Sequence, residues 1–528
     1  MNAAEFATIT DAPHSDNLEL LHRLYEDLNA LDFGNERLAE LLGTEAMEAL
    51  GRDQTRPALR ALDRAEPAQR PLADAVRLFE LGLKVSTGGV TNAFPATRIE
   101  GLRRLGLIES YGEGFRARVA LSIHESDVAG RLWVAHDLGA HQRPGTLRTD
   151  HVLGIGHASL SLAQVTIRRP VQRALDLGTG CGVQVFHLLG HAQHVTATDL
   201  SKRALAFTRF NLLLNHRALA LDPQNLGERI SLRQGSLFEP VAAEQFELIV
   251  TNPPFVITPR KPLERDSDRF TYRDGGMAGD QLVSTLLTQA ADYLSPGGTL
   301  QLLANWEIRR EPSGELRPWD ERVASWFAPE LDVWAIQREQ TGPASYAETW
   351  LRDASQHSDQ SAYAAAYDAY LEDFDSREVG AVGFGYLWVR RPLAGEPVLR
   401  RFEEITHPVQ QPLGPTLQRD IATVDELAQA NITEWHLEVA EDVTEERHQR
   451  PGAEHPGVIL LRQGAGLRRT ELLDSALAGF VSACDGELSV GQLGVALESL
   501  IGEGDPEFTQ RLYSGVERLI VHGLLRKV

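Results

Sequence analysis

Residues 173–182 read Arg-Ala-Leu-Asp-Leu-Gly-Thr-Gly-Cys-Gly, an apolar strand-like run that breaks into alternating glycines and then a helical segment. A backbone without Cβ atoms turns sharply and lets a ligand lie against it. Such a turn after a strand belongs at the carboxyl edge of an open α/β sheet, where ligands bind. The spacing is Asp-x-Gly-x-Gly-x-Gly, not the Gly-x-Gly-x-x-Gly that seats a pyrophosphate on a helix. Asp176, two residues ahead of Gly178, repels a pyrophosphate and suits an ammonium such as that of a methionine moiety.

The pattern continues as a parallel sheet would. Strand-like runs fall at 173–177, 194–198, 229–233, 246–250, 299–304, 331–336 and 385–391, with helices expected near 183–191, 201–217 and 280–294. Asp199 closes the second run, placed to accept hydrogen bonds from a ribose diol. After the third run, the Ser236 hydroxyl or the Leu237 amide is positioned to meet a base. An Ala-, Tyr- and Asp-rich stretch at 339–382 reads as a helical insert before the last strand.

The fourth run ends in Thr251-Asn252-Pro253-Pro254-Phe255. Two prolines fix φ and remove amide donors, so the loop is stiff and its carbonyls stay available as acceptors. The Asn252 side-chain oxygen and the Pro253 carbonyl can both accept from an –NH2 group. That pair orients the nitrogen without acting as a base. Phe255 offers an apolar face for a planar amide or nucleobase. The loop that follows carries Arg260, Lys261, Arg265 and Arg269, suited to phosphates or to an acidic protein surface, and then a Gly-rich stretch that opens the helix near 280.

A chain of 528 residues exceeds one core. The expected division is an N-terminal domain at 1–125, an α/β domain at 126–395 and a C-terminal domain at 396–528. Both flanks read as mainly helical and winged-helix-like: each has helices followed by a glycine (Gly106, Gly523) and a short strand, with Arg116 and Arg118 alternating along the first flank's strand. The net charge of −22 is uneven. Residues 1–50 carry 11 acidic and 2 basic side chains and 301–528 carry 38 and 21, whereas 51–300 carry 25 and 29. The acid therefore lies in the ends, and the middle is near neutral. Only Cys181 and Cys484 are present, no run is long enough to span a bilayer, and no signal segment opens the chain, which points to the cytoplasm. His187, His191 and His194 lack an acid or cysteine at ligand spacing, so no metal is expected.

Together, DLGTGCG, the acid at 199, GSLFEP and NPPF resemble the class I S-adenosylmethionine-dependent methyltransferases. The likeness is to the HemK-type group, which includes protein glutamine N5-methyltransferases, and to the small methyltransferase domain of ribosomal RNA guanine-N2 enzymes. It covers about 165–310. It implies a Rossmann-like seven-stranded domain and S-adenosylmethionine held by Asp176, Gly178, Gly180 and Asp199. Thr179, Gly182, Leu200, Ser236 and Leu237 complete the expected cofactor site, and Asn252 faces both ligands. Asn252, Pro253, Pro254 and Phe255 are implied to hold the substrate amide or amine. Three departures stand out: Ser236 where an acid is frequent, Phe255 where glutamine enzymes usually carry Tyr, and flanks unlike the helical domain used on release factors. The expected function is N-methylation of a macromolecule, nucleic acid or protein. A small-molecule methyltransferase and a degenerate scaffold are the alternatives.

Overall fold

A computed structural model describes residues 3–140, 142–143, 147–260, 273–353, 360–502 and 505–528. The chain divides into two compact units, one of residues 1–163 and 169–395, the other of 164–168 and 396–528.

The first unit opens with helices. Leu18–Ala30 forms because Leu21, Leu24 and Leu28 recur on one buried face, while the Asn17 side chain caps the Leu20 amide at 3.0 Å. Asp27, on the same helix, is buried but satisfied by the Ala96 and Thr97 amides and the Thr97 hydroxyl. Helices at Arg70–Phe79, Thr87–Ala93 and Arg98–Arg104 lead to a hairpin, Ile108–Tyr111 with Gly114–Ala117, against which Val85–Ser86 pairs. Gly106 takes φ 74°, the left-handed turn expected between the last helix and the first strand of the hairpin.

A second hairpin, Ala120–Ser126 with Gly130–His136, pairs in register from Ala120↔His136 to Ser126↔Gly130. The expected boundary at 125/126 therefore falls inside a paired strand, and the whole hairpin belongs to the same compact unit as the sheet that follows.

Within this unit the strands of that sheet are β1 (Val171–Leu177), β2 (Ala192–Asp199), β3 (Ile230–Gln234), β4 (Phe246–Thr251), β5 (Leu294–Arg309), β6 (Asp332–Thr341) and β7 (Val379–Arg390). The spatial order is β3-β2-β1-β4-β5-β7-β6. β7 alone runs antiparallel to its neighbours β5 and β6, and the pairs among β1 to β5 are parallel. The chain steps outward from β1 to β3 and then crosses to the other side at β4. The crevice lies at that reversal, between the ends of β1 and β4.

Helices α1 (Val183–Leu188), α2 (Lys202–Leu214) and α3 (Gln281–Tyr293) cover the sheet. α2 is nearly all buried, and the side chain of Asn211 and that of the residue capping its end, Asn215, act as a surrogate strand. Asn211 exchanges hydrogen bonds with both backbone groups of Ala135, and Asn215 with both of Trp133. The insert between β6 and β7 is the helix pair α4 (Pro343–Asp353) and α5 (Gln360–Ser376). Tyr346, Leu351, Tyr370 and Phe374 of the pair pack on Val256 and Ile257, just beyond the proline motif.

The second unit was expected to be mainly helical. Its helices are Gly414–Leu427, Ser475–Ser482, Val490–Ile501 and Phe508–Val521. It also holds a meander, Val443–His448, Val458–Gln463 and Thr470–Leu473. These strands are short and largely exposed, so charged residues such as those of VTEERH blur the two-residue period. Asp485–Ser489, His436–Val439 and Leu525–Lys527 form a further sheet, entered from the last helix through Gly523 at φ 73°. Trp435, Leu437, Phe480, Val516 and Leu519 lie in its core.

Candidate methyl-transfer site

A cavity of about 530 Å³ opens at the carboxyl ends of β1, β2 and β4. Gly178, Thr179, Gly180, Asp199, Leu200, Ser236, Leu237, Asn252, Pro253 and Pro254 all line it. Residues 74 positions apart in sequence meet because Leu177 and Thr251 are register partners on adjacent parallel strands.

The glycine loop is shaped for a ligand. Gly178 and Gly180 take φ of 80° and 57°, and a Cβ on either would enter open space, not protein. Side chains there would both strain the backbone and fill the cavity. Gly182 does not line the cavity. At φ 93° it starts α1, and its close neighbour is Thr208. Cys181 is buried, and burial pushes its thiol up to about 12, consistent with packing and not nucleophilic attack.

Asp176 lies beneath the loop, 1% exposed and outside the cavity lining, with no hydrogen-bond partner on either carboxylate oxygen. Burial raises its pKa to about 7. A buried carboxyl with no partner is costly unless a ligand supplies one, and the ammonium of an amino acid moiety would suit it. Asp199 is held from behind: the Gly180 amide donates to one oxygen at 3.0 Å and the Ser201 amide to the other at 2.8 Å. Each oxygen keeps a lone pair for a diol. Leu200 stands 59% exposed beside it, an apolar surface for a flat base. Leu237 adopts φ 45° in the turn after β3. This donor set fits S-adenosylmethionine: an anion for the ammonium, a carboxylate for the ribose and an apolar rim for the base.

On the acceptor side, Asn252 Oδ1 is buried and without a hydrogen-bond partner. The Pro253 carbonyl already accepts from the Phe255 amide at 2.7 Å, so one lone pair remains for a substrate. Phe255 was expected to face the substrate. It is half-buried and instead packs against Phe384 at 5.5 Å and on the insert cluster, outside the cavity lining. The loop behind the motif is fixed by Tyr346, whose hydroxyl accepts from the Ile257 amide at 2.9 Å and from Asn305 Nδ2 at 2.8 Å.

One part of the wall was not read from the sequence, and another lies in the Gly-rich stretch ahead of α3. Asp150–Gly154 lines the cavity ahead of β1, where only the small-residue run Gly154-Ile155-Gly156 hints at a close approach. Asp274 returns antiparallel to Phe255 and receives Arg260 at 2.6 Å and the Gly276 amide at 2.8 Å. Arg260 is thus paired with a carboxylate, whereas Lys261, Arg265 and Arg269 lie outside the described residues. No group of three His, Cys, Asp or Glu able to hold a metal occurs among the described residues.

Comparison with known proteins agrees with this geometry. Residues 154–263 match the methyltransferase small domain family, and 30–118 match a domain of unknown function, DUF7059. A ribosomal protein uL3 glutamine methyltransferase of Bradyrhizobium diazoefficiens is 32% identical over 30% of this chain and 47% of its own length. A release factor glutamine methyltransferase of Geobacter sulfurreducens is 32% identical over 29% of this chain and 53% of its own. Among solved structures, the N-methyltransferase NodS of Bradyrhizobium japonicum with S-adenosylhomocysteine is 15% identical, covering 44% of this chain and 85% of that one at a TM-score of 0.23. The chain spans about half the length of the curated relatives it matches. The α/β sheet and its cavity constitute a class I methyltransferase domain whose cofactor is S-adenosylmethionine. The domain is similar to the HemK-type methyltransferases.

Proposed function

We propose that this protein is a cytoplasmic N-methyltransferase that modifies the side-chain amide of a glutamine in a protein. The observation that carries the reading is Asn252 Oδ1, buried and unpartnered at the end of β4. A primary amide brings two N–H donors on one planar nitrogen. One meets Asn252 Oδ1 and the other the free lone pair of the Pro253 carbonyl, which leaves the nitrogen facing the cofactor cavity. S-adenosylmethionine, when bound, supplies an electrophilic methyl group. The residues of this chain contribute alignment and exclusion of water.

The printed names of the relatives favour a protein substrate. The arginines of the amino-terminal hairpin side are partly neutralised, Arg116 and Arg143 sharing Glu109 and Arg118 pairing with Asp11, which weakens them as a phosphate track. A second reading, a nucleobase amine, rests on the flanks. The order of helices and short strands over 70–117 and 475–527 resembles that of winged-helix modules, one before and one after the α/β sheet in the chain. The deciding experiment incubates the protein with methyl-labelled S-adenosylmethionine and a lysate from cells lacking it. Label released by protease and recovered as N5-methylglutamine is expected. Label released by nuclease overturns the glutamine reading.

A further inference from the structure

The wall of the cofactor cavity at Asp150–Gly154 has no regular secondary structure of its own to hold it. Its fixed point is Arg203, on the first turn of α2, four residues after Asp199. The guanidinium is 7% exposed, and all five of its N–H groups are used. Nε and one Nη2 hydrogen go to the Asp11 carbonyl at 2.9 and 2.7 Å. Nη1 donates to the Asp150 carbonyl at 2.8 Å and to Asp137 Oδ2 at 3.0 Å, and Nη2 also donates to Asp137 Oδ1 at 2.7 Å. Asp137 Oδ2 in turn accepts the Val152 amide at 2.8 Å, while the Asp137 amide donates to the Val152 carbonyl at 3.0 Å.

Three stretches far apart in sequence therefore converge on one side chain: the amino-terminal segment at Asp11, the end of the second hairpin at Asp137, and the cavity wall at 150–152. Arg203 does not itself line the cofactor cavity. It lines a separate cavity of about 260 Å³ on the far side of the wall, and His151, 6% exposed, borders both.

We infer that Arg203 is a positioning residue for S-adenosylmethionine, acting through Asp137 and Asp150 to hold the wall at 150–154 in its binding geometry. The planar fork is essential to this role. Lysine keeps the charge but has three donors on one atom and cannot bridge a carboxylate and two separate carbonyls in fixed directions. The inference rests on the cofactor assignment, not on which substrate is methylated, so its test needs no substrate.

The test is calorimetric titration of the full chain with S-adenosylhomocysteine, paired with amide hydrogen exchange. Arg203→Lys is expected to bind about tenfold more weakly, the value of one charge-assisted hydrogen bond. The Val152 amide should exchange faster, while Leu175, in β1, keeps its protection. A merely structural role would lower protection throughout the sheet. Wild-type affinity in a folded Arg203→Lys overturns the inference. If that variant loses sheet protection as well, Asp137→Asn decides. It leaves one acceptor oxygen where the carboxylate had two, so an NH2 group faces either the Val152 amide or Arg203 Nη2, and a folded Asp137→Asn with wild-type affinity overturns the inference equally. Failure of the wild-type chain itself to bind S-adenosylhomocysteine would instead overturn the cofactor assignment.

Discussion

The Thr251 hydroxyl donates to the Leu177 carbonyl at 2.7 Å, fully buried, joining the last residue of β4 to the last residue of β1. The cofactor loop begins one residue after Leu177, and the acceptor motif one residue after Thr251. This hydrogen bond adds to the backbone pairing of β1 with β4 in holding the two halves of the site at their separation. Thr251→Val keeps the volume and removes the bond. It is expected to cost about 1 kcal/mol of stability. Turnover should fall about tenfold or more while S-adenosylhomocysteine affinity is retained, because only relative placement is lost. Unfolding midpoints, steady-state rates and calorimetry separate these effects.

Asp176 is expected to make cofactor binding pH-dependent. Its buried carboxyl titrates near pH 7 in the free protein, raised by burial, and the carboxylate is the form that pairs with an ammonium. Affinity for S-adenosylhomocysteine should therefore rise with pH up to about 7 and fall about tenfold for each unit below it, with one proton released on binding at low pH. The folding term has the opposite sense. A raised carboxyl pKa gives stability that is present at low pH and lost as pH climbs from the unfolded value toward 7. Asp176→Asn should flatten the affinity profile and weaken binding at pH 8. A profile unchanged by that substitution would exclude Asp176 as its origin.

Asn252→Ala removes the unpartnered acceptor and leaves the cofactor walls intact. Cofactor affinity should stay within a factor of about two, while turnover falls about a hundredfold, the usual cost of a misplaced reactant. Retained turnover would remove this residue from the proposed site.

Tyr346→Phe strands two buried donors, the Ile257 amide and Asn305 Nδ2. A loss of about 3 kcal/mol is expected from two unsatisfied groups, read as a lower urea midpoint for the unit that contains the sheet. Because Ile257 follows the motif closely, the substrate KM should rise more than that of the cofactor.

What could be read from the sequence was local. β1 and β4 announce themselves because a buried parallel strand is a continuous apolar run and each ends in residues, DLGTG and NPPF, whose backbone demands are strict. The insert between β6 and β7 was visible as a composition change. The packing of Phe255 against Phe384 was not legible, because an aromatic beside a binding motif is equally useful as packing and its partner lies on β7, 129 residues away. The wall at 150–154 was silent. It has neither period nor charge pattern of its own, and the side chain that fixes it is bonded to groups 53, 66 and 192 residues distant. Short exposed strands such as those of the second unit's meander carry too little apolar signal to be seen.

Asn211 and Asn215 have a bearing on how this protein is inherited. Their amides complete the backbone pairing of Trp133 and Ala135, so the helix that follows the ribose carboxylate doubles as the missing neighbour of a strand encoded upstream. A gene rearrangement that lifted the methyltransferase domain away from its amino-terminal neighbour would leave these buried amides without partners on both sides of the cut. The two stretches are therefore not exchangeable cassettes. The hairpin partners are backbone groups, so no side-chain change there compensates for loss of either asparagine, and a grafted catalytic domain would have to bring residues 120–136 with it.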